Sequence, residues 1–162
     1  MASKKVVAKK SALHGKGLFA ARDLEAGERL IEYKGKRLGK DEMPDLVDDG
    51  VTRFLRLSDG SGIDGTGRAA LANHGCSPNC ELVEEEGWDP PQAWLYTLRK
   101  VAKGEELVWD YRLEVESAHE AFTDWACACG AAECRGTMAD PSSFGAAADA
   151  SSAPPPPRTK NA

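Results

Sequence analysis

Asn73-His74-Gly75-Cys76-Ser77-Pro78-Asn79 is the stretch on which the reading of this chain turns. Alone, an Asn-His pair would only satisfy backbone groups, as buried polar side chains must. Two later segments give it weight. One is Gly104-Glu105-Glu106-Leu107-Val108-Trp109-Asp110-Tyr111, and the other is Cys127-Ala128-Cys129-Gly130-Ala131-Ala132-Glu133-Cys134. Each is a weak signal by itself. Three in this order and at these separations are hard to obtain by chance. Glu105 and Glu106 look like paired acids, yet alternate positions on a strand point to opposite faces, so they form no hydrolytic dyad. His119 has no partner at metal spacing and receives no role.

Working outward, 162 residues suit one domain with a modest core. The hydrophobic fraction is 41%, diluted by a polar, Pro-rich end. No apolar run is long enough to span a membrane, and Met1–Lys5 lacks the apolar core of a secretory signal. A cytoplasmic location is expected, with nucleus or host chromatin open and the thiols reduced. Of five cysteines, three fall within eight positions, too clustered for a disulfide framework and better read as metal-binding. The net charge of −5 argues against direct contact with nucleic acid and suits a Lys-rich protein partner.

The chain reads as many short strands broken by Gly and Pro. Val6–Ala8 and Gly17–Ala21 are expected strands around a turn at His14–Gly17, and Glu28–Tyr33 and Phe54–Leu57 are further strands. Lys40–Asp49 is a short helix or an inserted loop, and Ser58–Gly62 is turn-rich. Glu81–Val83 and Ala93–Leu98 pair across an acidic loop that Pro90-Pro91 makes a turn. Glu84–Glu86 at its tip are expected to be solvated. Glu106–Trp109 is a strand. Glu114–Trp125 is helix-friendly, with Val115, Ala118, Phe122 and Trp125 on one face. From Ala139 onward the Ala, Ser and Pro content predicts a disordered tail.

Two more stretches complete a pattern: Ser11-Ala12-Leu13-His14-Gly15-Lys16-Gly17-Leu18-Phe19-Ala20 and Ile31-Glu32-Tyr33-Lys34-Gly35. With the three segments above, they resemble the SET domain, the fold of most protein-lysine methyltransferases, followed by that family's post-SET zinc segment. The resemblance implies a mostly β, β-clip-like fold of several small sheets and short helices, with a knot-like crossing of the two central motifs. It divides the chain into a SET domain at 4–112, a helical connector at 113–122, a post-SET zinc segment at 123–139 and the tail at 140–162.

The resemblance also implies chemistry. S-adenosylmethionine would be held by Lys16, Gly17 and Leu18, by Asn73, by the His74 main chain and by Trp125, with Met138 also flanking the site. Gly15 and Gly17 would allow close backbone approach and positive φ. Methyl transfer to an amine is an in-line displacement that needs alignment and exclusion of water. Tyr111 would orient the neutral lysine amine, and Tyr33 would line the same channel. Near pKa 10, a wholly ionised tyrosine is not expected. Zinc takes four soft ligands in a tetrahedron. Cys127, Cys129 and Cys134 supply three; Cys76 is the implied fourth, with Cys80 the rival.

Three positions depart from the family pattern. Trp109 stands where Phe or Tyr is usual; turned into the channel it favours monomethylation, turned outward it leaves a wider pocket. Gly75 replaces Ser, and Ala70-Leu71-Ala72 replaces an Arg-aromatic pair. The reading is therefore an S-adenosylmethionine-dependent protein-lysine N-methyltransferase acting on a histone-like, ribosomal or other Lys-rich protein. Alternatives are a SET-like module that holds a Lys-rich segment without turnover, or a zinc-stabilised interaction protein.

Overall fold

A computed structural model describes residues 4–42 and 53–144. Among these described residues, ten short strands form three small sheets. The first sheet has the order β1 (Val6–Lys10), β2 (Lys16–Ala20), β10 (Glu106–Trp109), β7 (Asn73–His74). The second has the order β3 (Arg29–Glu32), β9 (Gln92–Thr97), β8 (Cys80–Glu85). The third has the order β4 (Gly35–Leu38), β6 (Gly62–Gly65), β5 (Phe54–Arg56). Among the described residues, helical structure is confined to two 3₁₀ turns, Lys40–Glu42 and Arg68–Leu71, and one α-helix, α1 (Ala118–Thr123). No described helix is long and apolar enough to cross a membrane.

Strand β9 shows why these residues make sheet. Ala93, Leu95 and Thr97 alternate inward, while Gln92, Trp94 and Tyr96 lie on the more accessible face. Leu95 joins Leu18, Leu24, Leu107 and Val101 in the main core, each 2% exposed or less. Full burial of such a side chain stabilises by about 1.5–3 kcal/mol. A second cluster, with Tyr33, Leu57, Ile63 and Ala69, lies under the third sheet.

Three expectations change. β4 and β6 are strands that the sequence reading did not single out, β6 beginning at Gly62, the end of the stretch read as turn-rich. A Cβ at Gly35 would collide with the Asp64 carbonyl, so the glycine serves close pairing of β4 with β6. The helix begins only at Ala118, because the Ser117 side chain accepts the Glu120 N–H and caps it. Glu84 and Glu85 are not loosely solvated: Glu84 accepts from Ser58, and Glu85 from Arg29, Tyr96 and Trp88.

Two further expectations concern segment ends. The inserted stretch expected to run to Asp49 lies outside the described residues beyond Glu42, as does the tail beyond Phe144. Up to Phe144 the chain is packed. Val115, Ala121, Trp125 and Ala139 form a third apolar cluster, joined by Leu113, Phe122, Met138 and Phe144.

Candidate functional site

Strand β10 brings the two distant motifs together. It pairs antiparallel with β2 and parallel with β7, in the register Val108↔Asn73 and Trp109↔His74. The bend after β7 is fastened to the same strand, with Gly75 N–H donating to the Trp109 carbonyl and Asn79 N–H to the Val108 carbonyl. Asn79 is 2% exposed. Its Nδ2 donates to the Glu106 carbonyl at 2.8 Å and to Glu105 Oε1 at 3.0 Å, and its Oδ1 accepts the Val108 N–H at 2.9 Å. Glu105 and Glu106 point to opposite sides: Glu105 meets Arg99, while Glu106 turns to the cleft loop.

That loop is held by a small polar network. Ser11 Oγ donates to both Glu106 carboxylate oxygens and accepts the Leu13 and His14 N–H groups. Asn73 Nδ2 reaches Glu106 Oε1 at 2.9 Å and the His14 and Lys16 carbonyls at 3.2 and 3.3 Å. Gly15 has φ +46°, in the left-handed region. Gly17 does not; a Cβ there would run into the Glu106 carboxylate, so its smallness makes room for a side chain.

A cleft of about 320 Å³ opens beside this loop, within the range of small-molecule sites. Leu13 and His14 line one side, and Asn73, His74 and Tyr111 another. Asp124 to Cys129, including Trp125, close it together with Met138. The structure thus brings Asn73, His74, Tyr111 and Trp125 to one cavity. Lys16, Gly17 and Leu18 are not among its lining residues. From Lys16 onward the backbone is paired with β1 and β10, and Leu18 is fully buried.

Tyr111 donates its hydroxyl to the Ala72 carbonyl at 2.9 Å. The Trp109 ring tilts against the Tyr111 ring, centroids 4.9 Å apart, and packs on the main core. Tyr33 is buried, with its hydroxyl on the Arg53 carbonyl at 2.7 Å. Burial pushes its pKa well above the ordinary phenol value, with Tyr111 and Asp64 adding to the effect, so it is a neutral phenol. It is not among the cleft-lining residues.

The Sγ atoms of Cys76, Cys127, Cys129 and Cys134 all lie within 4.8 Å of one another. Cys76 Sγ is 3.8 Å from Cys127 Sγ and 3.9 Å from Cys134 Sγ. Zn–S bonds of about 2.3 Å in a tetrahedron put sulfurs about 3.8 Å apart, so the donor set fits zinc. Cys80 lies apart, sealed in the main core, where burial pushes its thiol up to about 12. Burial also pushes Cys76 and Cys127 up, reinforced by neighbouring thiols. Burial opposes ionisation of Cys129 too, but N–H donors from Cys76 and Ala131 outweigh it and hold this thiol down at about 7. Crowded thiols of this kind are relieved by a dication.

His74 is buried between the thiols and Tyr111. Burial holds its pKa down to about 4, against the pull of Asp110. Asp110 Oδ1 is 3.6 Å from Nδ1. This is no ion pair at neutral pH, because Nδ1 accepts the Tyr111 N–H. Arg135 instead takes Asp110 in a two-pronged bond, 2.8 and 2.9 Å, and ties the thiol loop to the end of β10. Arg112, at φ +45°, makes a second tie to Asp140. Sequence reasoning missed Glu106, Asn79, the Leu13-His14 edge and the Arg135–Asp110 tie. All but Arg135 lay in stretches already singled out, though not in these roles.

The SET domain profile matches residues 15–112. Human histone-lysine N-methyltransferase 2B is 36% identical over 136 residues, 78% of this chain. The Drosophila melanogaster histone-lysine N-methyltransferase trr is 34% identical over 140 residues, 80% of this chain. An H3 lysine-4 specific histone-lysine N-methyltransferase of Emericella nidulans is 31% identical over 141 residues, again 80% of this chain. The matches cover only 5%, 6% and 11% of those proteins.

Proposed function

The chain belongs to the SET-domain family, and from that premise we propose that it transfers a methyl group from S-adenosylmethionine to a lysine side chain of a basic protein. The observation that carries this reading is one cleft lined by Asn73, His74, Tyr111 and Trp125, beside four clustered thiols. We propose 4–112 as the catalytic unit, with 113–122 connecting to a zinc-bound cover at 123–139. In the stretch read as the tail, 140–162, Asp140 is tied to Arg112 and Phe144 joins the third apolar cluster.

The cofactor supplies an electrophilic methyl on a sulfonium. Leu13, Trp125 and Met138 offer it an apolar wall, and His14 and the Asn73–His74 backbone offer polar groups. The substrate lysine must arrive neutral, since an ammonium has no lone pair to attack with. Bound there, the cofactor would supply the methyl by giving up its C–S bond, the electron pair staying on sulfur, as the N–C bond formed, and the amine proton would leave to solvent. Tyr111 spends its hydroxyl proton on Ala72, so its oxygen presents lone pairs that accept an amine N–H and aim the nitrogen. Neither Tyr33 nor Trp109 lines this cleft; the proposal of a single methyl as product rests on the Trp109 indole lying against the Tyr111 ring. Zinc would be held by Cys76, Cys127, Cys129 and Cys134 and would hold the cover over the cleft.

The substrate class is a Lys-rich protein, histone-like or ribosomal, which the acidic charge of the chain suits. The relatives' names point toward histone lysines. The test is release of S-adenosylhomocysteine in the presence of a panel of basic proteins. Release that depends on both protein substrate and Tyr111 supports the reading. Cofactor binding without release on any substrate points to a binding module.

A further inference from the structure

One buried side chain touches both the thiol cluster and the backbone of Tyr111. His74 Nδ1 lies 3.2 Å from the Tyr111 N–H. An N–H can only donate, so Nδ1 is the acceptor, and a neutral imidazole must carry its proton on Nε2. Nε2 lies 3.4 Å from Cys76 Sγ, so that proton is directed at sulfur. A metal-bound cysteine is a thiolate, a good acceptor for such a bond. Asp110 does not compete for the ring, because Arg135 holds both of its oxygens. The ring also meets the Tyr111 ring edge-on, centroids 5.3 Å apart.

We propose that the His74 side chain is a positioning residue that couples the metal site to Tyr111, donating Nε2–H to the Cys76 thiolate and accepting the Tyr111 N–H at Nδ1. This rests on reading the four thiols as a zinc site and Tyr111 as the lysine-orienting group. The main-chain contact that the sequence suggested for His74 leaves this side chain available. Release of the metal frees the Cys76 sulfur, and with it one of the two anchors of the ring that supports Tyr111.

Two substitutions divide the ring's functions. His74→Asn keeps an acceptor near the Nδ1 position and removes the donor to sulfur. His74→Gln reaches the Nε2 position with an amide donor and removes the acceptor under Tyr111. Zinc affinity of the full chain is read by competition with a chromogenic chelator, and thermal melts establish that each variant folds. His74→Asn is expected to weaken zinc about 10–100-fold, and His74→Gln to stay within about threefold of wild type. His74→Gln is expected to lower kcat more than it raises KM for S-adenosylmethionine.

Equal zinc affinities in both variants and wild type overturn the coupling alone. A wild-type chain that binds no zinc overturns the metal reading, and the coupling with it. A check that needs no variant is the imidazole ¹⁵N spectrum of the zinc-loaded wild type: an Nε2–H tautomer is expected, and an Nδ1–H tautomer overturns the proposal.

Discussion

Asn79→Ala removes the fastening between the β7 bend and β10. The side chain is 2% exposed and makes three hydrogen bonds, two of them to the backbone of Glu106 and Val108. Truncation leaves the Val108 N–H and the Glu106 carbonyl buried without these partners, at about 1–3 kcal/mol each. Glu105 loses less, because Arg99 still holds it. The expected loss is about 3 kcal/mol, or about 10 °C in Tm for a chain of this size. Asn79→Asp should be worse: it replaces the Nδ2 donor with an oxygen that faces the Glu106 carbonyl and Glu105 Oε1, and it buries a charge. Urea unfolding at pH 7 reads both variants, with the m-value checked for constancy. A loss under about 1 kcal/mol for Asn79→Ala, or an Asp variant more stable than the Ala variant, refutes the fastening argument.

Metal removal should act locally. With a chelator present, amide hydrogen exchange is expected to accelerate across 125–139, where Cys127 and Met138 donate to Gly136 and Trp125, and not across β9. Arg135→Leu leaves the Asp110 carboxylate without its two-pronged partner; urea unfolding should show a loss of about 1–2 kcal/mol, since both groups are partly exposed. Glu28 predicts a pH effect. Burial works to raise its pKa, but hydrogen bonds from Arg22 and Lys5 outweigh this and bring it from 4.5 to about 2. A lowered carboxyl pKa stabilises above the unfolded value, so this contribution is whole at neutral pH and fades as pH falls from about 4.5 through about 2. Arg22→Ala should flatten the stability profile in that window; an unchanged profile contradicts the assignment.

The sequence revealed most where several residues had to agree. β10 runs over Glu106–Trp109 as expected, and the β8–β9 hairpin follows from alternation and the Pro90-Pro91 break. β4 and β6 were hidden because Gly35, Gly62 and Gly65 look like punctuation, whereas Gly35 is there for close strand contact. Three of the four clustered thiols could be grouped from spacing alone; Cys76 was implied only by the family resemblance, and the fold brings it to them. The cleft edge expected at Lys16–Leu18 falls on Leu13 and His14 because β-pairing consumes the backbone from Lys16 onward. The Arg135–Asp110 tie leaves no local trace, since its partners lie far apart in sequence.

The most direct test of the central claim is peptide mass spectrometry of a basic protein incubated with S-adenosylmethionine and either wild-type chain or Tyr111→Phe. The account predicts methyl groups on lysine side chains with the wild type, one per modified lysine. With Tyr111→Phe it predicts a loss of about 10²-fold or more in rate, while cofactor affinity stays near normal. Equal lysine methylation by both proteins contradicts the role given to Tyr111. No methyl on any lysine, from a wild-type chain that binds both cofactor and substrate, contradicts the account as a whole.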